Sequence, residues 1–168
     1  QLIQLQLQNG IYPLLSVVVE RSKHVLVQSV LADTDQRVKE GRAVAPSFLL
    51  ACVLWEDVKL GWDAKVAQGI HKVPALQEAV DEVFNLRIGD VSGRGKLASD
   101  MREIWAMQPR FEKRTGSGPW SLVDHPRYRA GFDFLQLRAK SGEVEESLAD
   151  WWQEFAQADQ DLKADMLL

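Results

Sequence analysis

The 168 residues carry 20 Lys and Arg against 24 Asp and Glu, for a net charge of −4, and 46% are hydrophobic, with six tryptophans. That is enough chain and apolar content for one compact domain, or two small ones, with a sizeable core. No run of about 18 apolar residues is present to span a bilayer, and the one cysteine, Cys52, excludes an internal disulfide and suits a reducing, cytoplasmic setting.

The opening "QLIQLQLQNG" lacks an initiator Met, a basic n-region and a cleavage site, so it is not a signal peptide. It reads as the middle of a longer protein, and its alternation as a helix tail rather than a strand. Ser22 opens a helix with Val25, Leu26, Val30 and Val38 on recurring turns, and Gly41 ends it. Pro46 takes the first position of the next helix. Its run from Phe48 to Trp55 is apolar nearly all round, which marks it as central, with Cys52 as a buried structural thiol. Pro74 starts another helix, with Leu76, Val80, Val83 and Phe84 inward. "IGDVSGRGK", Ile88 to Lys96, is rich in Gly and charge and sets the expected boundary between a body-like region, 1–87, and a C-terminal region, 88–168. Its "SGRGK" lacks the GxxxxGK[ST] spacing of a phosphate loop and reads as a flexible basic loop.

In "SDMREIWAMQPRFEKR", Pro109 cannot donate to the carbonyl of Trp105, so a kink is expected. Ile104, Met107 and Phe111 form the core stripe, with Trp105 on the flank. Arg102, Arg110 and Lys113 lie on the far side, joined at the rim by Arg114. "TGSGPW" reads as a loop. At 100° per residue, the helix after Pro126 shows two apolar stripes, Tyr128, Phe132, Leu135 and Ala139 on one side and Ala130, Phe134 and Leu137 on the other. Arg129 sits in one polar gap between them, and Arg127 and Arg138 in the opposite one. In the last helix Val144, Leu148, Trp151 and Phe155 share a face, with Trp152 beside them. Strand patterning is weak throughout. The fold class expected is all-α, a helical body/leg-type array of about six to eight helices.

Charge is unevenly spread: net −2 over residues 1–86, +5 over 87–140 and −7 over 141–168. Distribution matters more than total for an electrostatic footprint. The arginines flanked by apolar stripes have two readings, which are compatible. Their stems cover apolar surface while they pair with the acidic final helix, or their guanidinium groups face phosphates. Basic residues beside aromatics suit single-stranded nucleic acid. Trp105 and Trp120 are accordingly either stacking platforms or core. His24, His71 and His125 are isolated, without Cys or paired carboxylates at metal spacing, so zinc is not expected.

"DMREIWAMQPRFEKR", "HPRYRAGFDFLQLRA" and "WWQEF" together resemble the C-terminal part of bacterial poly(A) polymerases. Upstream, "LADTDQRVKEGRAVAPSFLLACVLW" and "NGIYPLL" resemble the body of the same enzymes and the stretch before it, in order over nearly the whole chain. The resemblance implies the nucleotidyltransferase superfamily, in the class shared with CCA-adding enzymes. Such enzymes add AMP from ATP to RNA 3′ ends with a divalent metal such as Mg, and the tails mark RNA for decay. It also implies a catalytic head, a small sheet with a Gly-Ser loop and paired aspartates, followed by a helical neck, body and leg that guide RNA.

No head is legible here. "DTD", Asp33-Thr34-Asp35, lies late in a helix, where i and i+2 point about 200° apart, and two-metal phosphoryl transfer needs carboxylates that converge. The expectation is therefore a piece inactive alone, without catalytic or metal-binding residues. ATP and Mg belong to the head, and RNA contact is expected at Arg102, Arg110, Lys113, Arg114, Arg127, Arg129 and Arg138. The chain departs from the family in ending acidic, in "QADQDLKADMLL", where a Lys/Arg-rich tail is expected. Two alternatives stand beside this reading. One is a protein-interaction module docking partners from the RNA-decay machinery. The other is the body of a CCA-adding enzyme, against which "REIW…QPRFEKR" speaks.

Overall fold

The computed structural model describes residues 45–88, with side chains up to 86, and 95–167. The expected Ser22–Gly41 helix, both opening motifs, the "DTD" carboxylates, His24 and most of the Ile88–Lys96 loop lie outside the described residues. Among those described there are seven α-helices, one π-helical turn and no strand. The all-α expectation holds. Two compact units, Gln1–Arg102 and Glu103–Leu168, make up the chain.

In the first unit, α1 (Pro46–Ala67) begins on its proline, as expected, and buries Phe48, Ala51, Cys52, Val53, Leu54, Trp55, Val58 and Trp62. α2 (Lys72–Val83) starts two residues before the expected Pro74. A proline is tolerated throughout the first turn because those N–H groups have no intrahelical partner. Ala75, Leu76, Ala79, Val80 and Val83 face inward. The indole of Trp62 donates to the carbonyl of Lys72 at 2.9 Å, tying the start of α2 to α1. The helices run close where Gly61 meets Ala79: a Cβ on Gly61 would lie 3.2 Å from that of Ala79. Phe84–Ile88 continues α2 as a π-helical turn, and Phe84 is buried.

The third helix, α3 (Lys96–Phe111), contains the division between units. The boundary expected from loop composition is 87/88, while the first compact unit runs to Arg102. Arg102 pairs with Asp81 at 2.7 Å and lies 4.6 Å from the ring centre of Phe84, so the first turns of α3 belong with the first unit. Pro109 falls in the last turn of α3, where it cannot supply the helical bond to the Trp105 carbonyl. The chain leaves through shorter-range bonds, Glu112 N–H to the Pro109 carbonyl at 3.3 Å and Lys113 N–H to that of Arg110 at 3.2 Å.

In the second unit α3 is followed by α4 (Gly118–Val123), α5 (Tyr128–Lys140), α6 (Glu146–Gln157) and α7 (Gln160–Met166). The expected "TGSGPW" loop keeps only its first half, since Gly118–Trp120 enter α4: Pro119 sits at a first-turn position, where its fixed φ suits a helix. Both apolar stripes of α5 are buried beyond its first turn, where Tyr128 and Ala130 stay half-buried. Phe132, Leu135 and Ala139 join a cluster with Met107, Phe111, Leu122, Ala149, Trp152 and Phe155, and Phe134 and Leu137 are buried as well. The inner face of α6 is rotated from the expected one. Ala149, Trp152 and Phe155 are buried, while Val144, Leu148 and Trp151 pack partly exposed at the flank. The indole of Trp152 donates to the Phe111 carbonyl at 2.8 Å, satisfying an orphan acceptor at the end of α3. Its ring meets that of Phe111 edge-on at 5.1 Å. α7 was not expected. Asp159 starts it, its carboxylate accepting from the Leu162 N–H at 2.9 Å.

Candidate nucleic-acid interface

The outer face of α3 organises the cationic residues of the second unit. Glu103 and Arg110 are seven residues apart, so they lie on the same face about 10.5 Å along the axis. Exposed Ala106 sits between them. Arg110 is exposed and donates to the Ser121 hydroxyl at 3.3 Å, which ties the end of α3 to α4. Lys113 and Arg114 follow at once and are exposed. Near the other end of this face, Arg127 Nε lies 3.3 Å from a Glu103 carboxylate oxygen. The structure therefore brings Arg110, Lys113, Arg114 and Arg127 onto or beside one helix face.

The other expected positions differ. Arg129 is 79% exposed and pairs along its own helix with Asp133 at 3.2 Å. Arg102 lies in the first unit, held by Asp81. Arg138 is a correction to the expected surface set, since only 4% of it is exposed. Its Nε donates to Glu143 at 2.6 Å and its terminal nitrogen to the Gln108 carbonyl oxygen at 2.9 Å. The second apolar stripe of α5 is covered, and the crevice from which this arginine was expected to emerge is closed.

The acidic C-terminal helices do not pair with the patch. Among the described residues, no carboxylate of α6 or α7 lies within ion-pair distance of an Arg or Lys, and Arg110, Lys113 and Arg114 have no carboxylate partner. Cations held in no ion pair leave their field available to a polyanion, and an arginine fork matches phosphate geometry.

The arginine-rich character of this region has a counterpart among known proteins. The family model described as the polymerase A arginine-rich C-terminus matches residues 68–168. The chain belongs to that family. Its curated relatives include the poly(A) polymerase I of Salmonella typhi, 34% identical over 134 residues, that of Haemophilus influenzae, 34% over 133 residues, and that of Escherichia coli O6:H1, 33% over 135 residues. Each match takes in 77% of this chain, and the chain spans 29% of the length of each relative.

Within this family member the expected stacking residues separate. Trp105 is fully buried and is core. Trp120 is half-buried, its ring edge-on to Phe155 at 5.9 Å. His125 serves the backbone, its Nδ1 accepting from the Arg127 N–H at 2.9 Å. The Tyr128 hydroxyl donates to the Trp152 carbonyl at 3.3 Å, and burial pushes its pKa well above the usual phenol range. Among the described residues no three His, Cys, Asp or Glu side chains gather as a metal site. No described helix is long and apolar enough to cross a membrane. Sequence reasoning missed Gln108 and Ser121. Gln108 carried a signal, a lone polar residue beside the core stripe of α3; Ser121 carried none.

Proposed function

We propose that this chain is the RNA-holding, structural portion of a bacterial poly(A) polymerase, an enzyme that extends RNA 3′ ends with AMP from ATP. The observation that carries this reading is the group of Arg110, Lys113 and Arg114 at the end of α3, exposed and without a carboxylate partner among the described residues. In this reading the group grips the phosphate backbone and guides the strand, Arg127 and Arg129 supply further charge, and Trp120 offers a half-exposed ring for a base. The role is one of binding and orientation. In this reading ATP and the divalent metal fall to a catalytic head. The tails so made mark RNA for decay.

The test is a titration of fluorescently labelled oligo(A) with the purified chain, followed by anisotropy across a series of salt concentrations. Log affinity is expected to fall linearly with log salt, with a slope of about −0.7 per phosphate neutralised on a single strand. A slope near zero would overturn the reading and favour a protein-interaction module. The same titration with duplex RNA separates a single-strand track from a general attraction to polyanions.

A further inference from the structure

Gln108 is fully buried and Arg138 nearly so, in a unit whose buried side chains are mostly apolar, with Asp133 the other buried polar one among the described residues. Their hydrogen bonds are fixed by elementary chemistry. A guanidinium can only donate, so the Gln108 carbonyl oxygen must face Arg138. That turns the Gln108 amide nitrogen toward two carbonyls, that of Ile104 one turn back on α3 at 2.9 Å and that of Gly131 on α5 at 3.2 Å. Glu143, in the turn after α5, holds the Nε edge of Arg138, and its own N–H donates to the Arg138 carbonyl at 2.9 Å. One carboxamide thus joins α3 to α5 by directional bonds to both its ends.

The bond to Gly131 sits where its backbone passes close to Met107 of α3. A Cβ on Gly131 would lie 2.6 Å from the Met107 sulfur, so the Met107 side chain would have to shift to admit one. The surrounding contacts of Met107, Phe132 and Leu135 are apolar, and such contacts tolerate sliding. Burying an arginine and a carboxamide is an inefficient route to stability, since apolar residues of the same shape often do as well. What this network supplies better is register. Arg110 follows Gln108 by two residues and Lys113 by five, so a shift of this helix end moves both cations together.

We propose that Gln108, clamped by Arg138, is a positioning residue that fixes the register of α3 on α5 and with it the direction in which Arg110, Lys113 and Arg114 leave the fold. This rests on the RNA-holding role proposed above, and the experiment separates the two. Ala106 and Lys140, both exposed, are replaced by spin-labelled cysteines in the full chain, and the distance distribution between them is compared with and without Gln108→Met. Salt-dependent oligo(A) binding is measured in the same backgrounds. Gln108→Met is expected to shift or broaden the distances, lower affinity about tenfold and make the salt slope shallower by about 0.7 for every phosphate no longer neutralised. Met107→Leu, a volume-conserving core change beside it, is expected to lower the unfolding temperature while leaving distances and slope as they were. Unchanged distances in Gln108→Met overturn the register role whatever the RNA result. Altered distances in a chain whose parent shows no salt slope overturn the RNA reading and leave the register lock standing.

Discussion

Replacing Trp152 by phenylalanine tests the account of the second unit at its centre. The indole is fully buried and its N–H donates to the Phe111 carbonyl at 2.8 Å. Phenylalanine removes the donor and leaves that carbonyl buried, since Phe111 is itself fully buried. An unsatisfied buried acceptor costs about 1–3 kcal/mol. The smaller ring also opens a cavity against Phe111 and Phe155, adding about 1 kcal/mol by analogy with the loss of one or two buried methylenes. Together these give about 2–4 kcal/mol. In a unit of this size each kcal/mol lowers Tm by about 4–8 °C. Thermal unfolding by circular dichroism should therefore show a drop of about 8 °C or more. Trp151→Phe is the comparison, because that ring is half-buried at the flank and stacks on Phe155 at 4.9 Å; it should cost no more than about 1 kcal/mol. Equal effects from the two substitutions would refute the claim that the bond to Phe111 matters beyond ring packing.

Gly131→Ala should destabilise by up to about 2 kcal/mol, because overpacking against Met107 costs about 1–3 kcal/mol and helix propensity returns about 1 kcal/mol. Gly118→Ala, with no atom within 4 Å of the new Cβ, should be close to neutral; a stabilised Gly131→Ala in urea denaturation would contradict the close crossing. Asp159→Ala should cost about 1 kcal/mol of local stability, read as faster amide hydrogen exchange across α7 with exchange in α5 unchanged, and protection of α7 equal to the parent would show that its start does not depend on the cap. Arg138→Met should destabilise more than Arg129→Met by chemical denaturation, since the first leaves the Gln108 and Glu143 acceptors without their donor while the second breaks an exposed pair worth about 0–1 kcal/mol; the reverse order would place Arg138 at the surface.

Helix type and the two-sided burial of α5 were legible because apolar spacing is a strong local signal. The positions of Phe132, Leu135, Phe134 and Leu137 follow from 3.6-residue periodicity alone. α4 and α7 escaped notice because both are about two turns or fewer, too short for periodicity, and their starts are marked only by Pro119 and Asp159. The face of α6 was misjudged by one position, since spacing could not say which of two adjacent tryptophans, Trp151 or Trp152, would find a buried acceptor. The basic character of the region was legible as charge, but the separation of Arg138 from Arg110 was not. Both are arginines on helices with an apolar stripe, and what separates them is a pair of acceptors, Gln108 and Glu143, that only the packed structure places within reach.

The most direct measurement is the salt slope of oligo(A) binding for the parent chain beside Arg110→Ala/Lys113→Ala/Arg114→Ala, three exposed residues whose replacement leaves the core intact. A clear negative slope in the parent, made shallower by about 2 in the triple variant as each missing cation frees one phosphate, with an unchanged Tm, is the predicted result. A parent and a triple variant that bind RNA with the same slope and affinity would contradict the assignment of this helix end as the place where the strand is held.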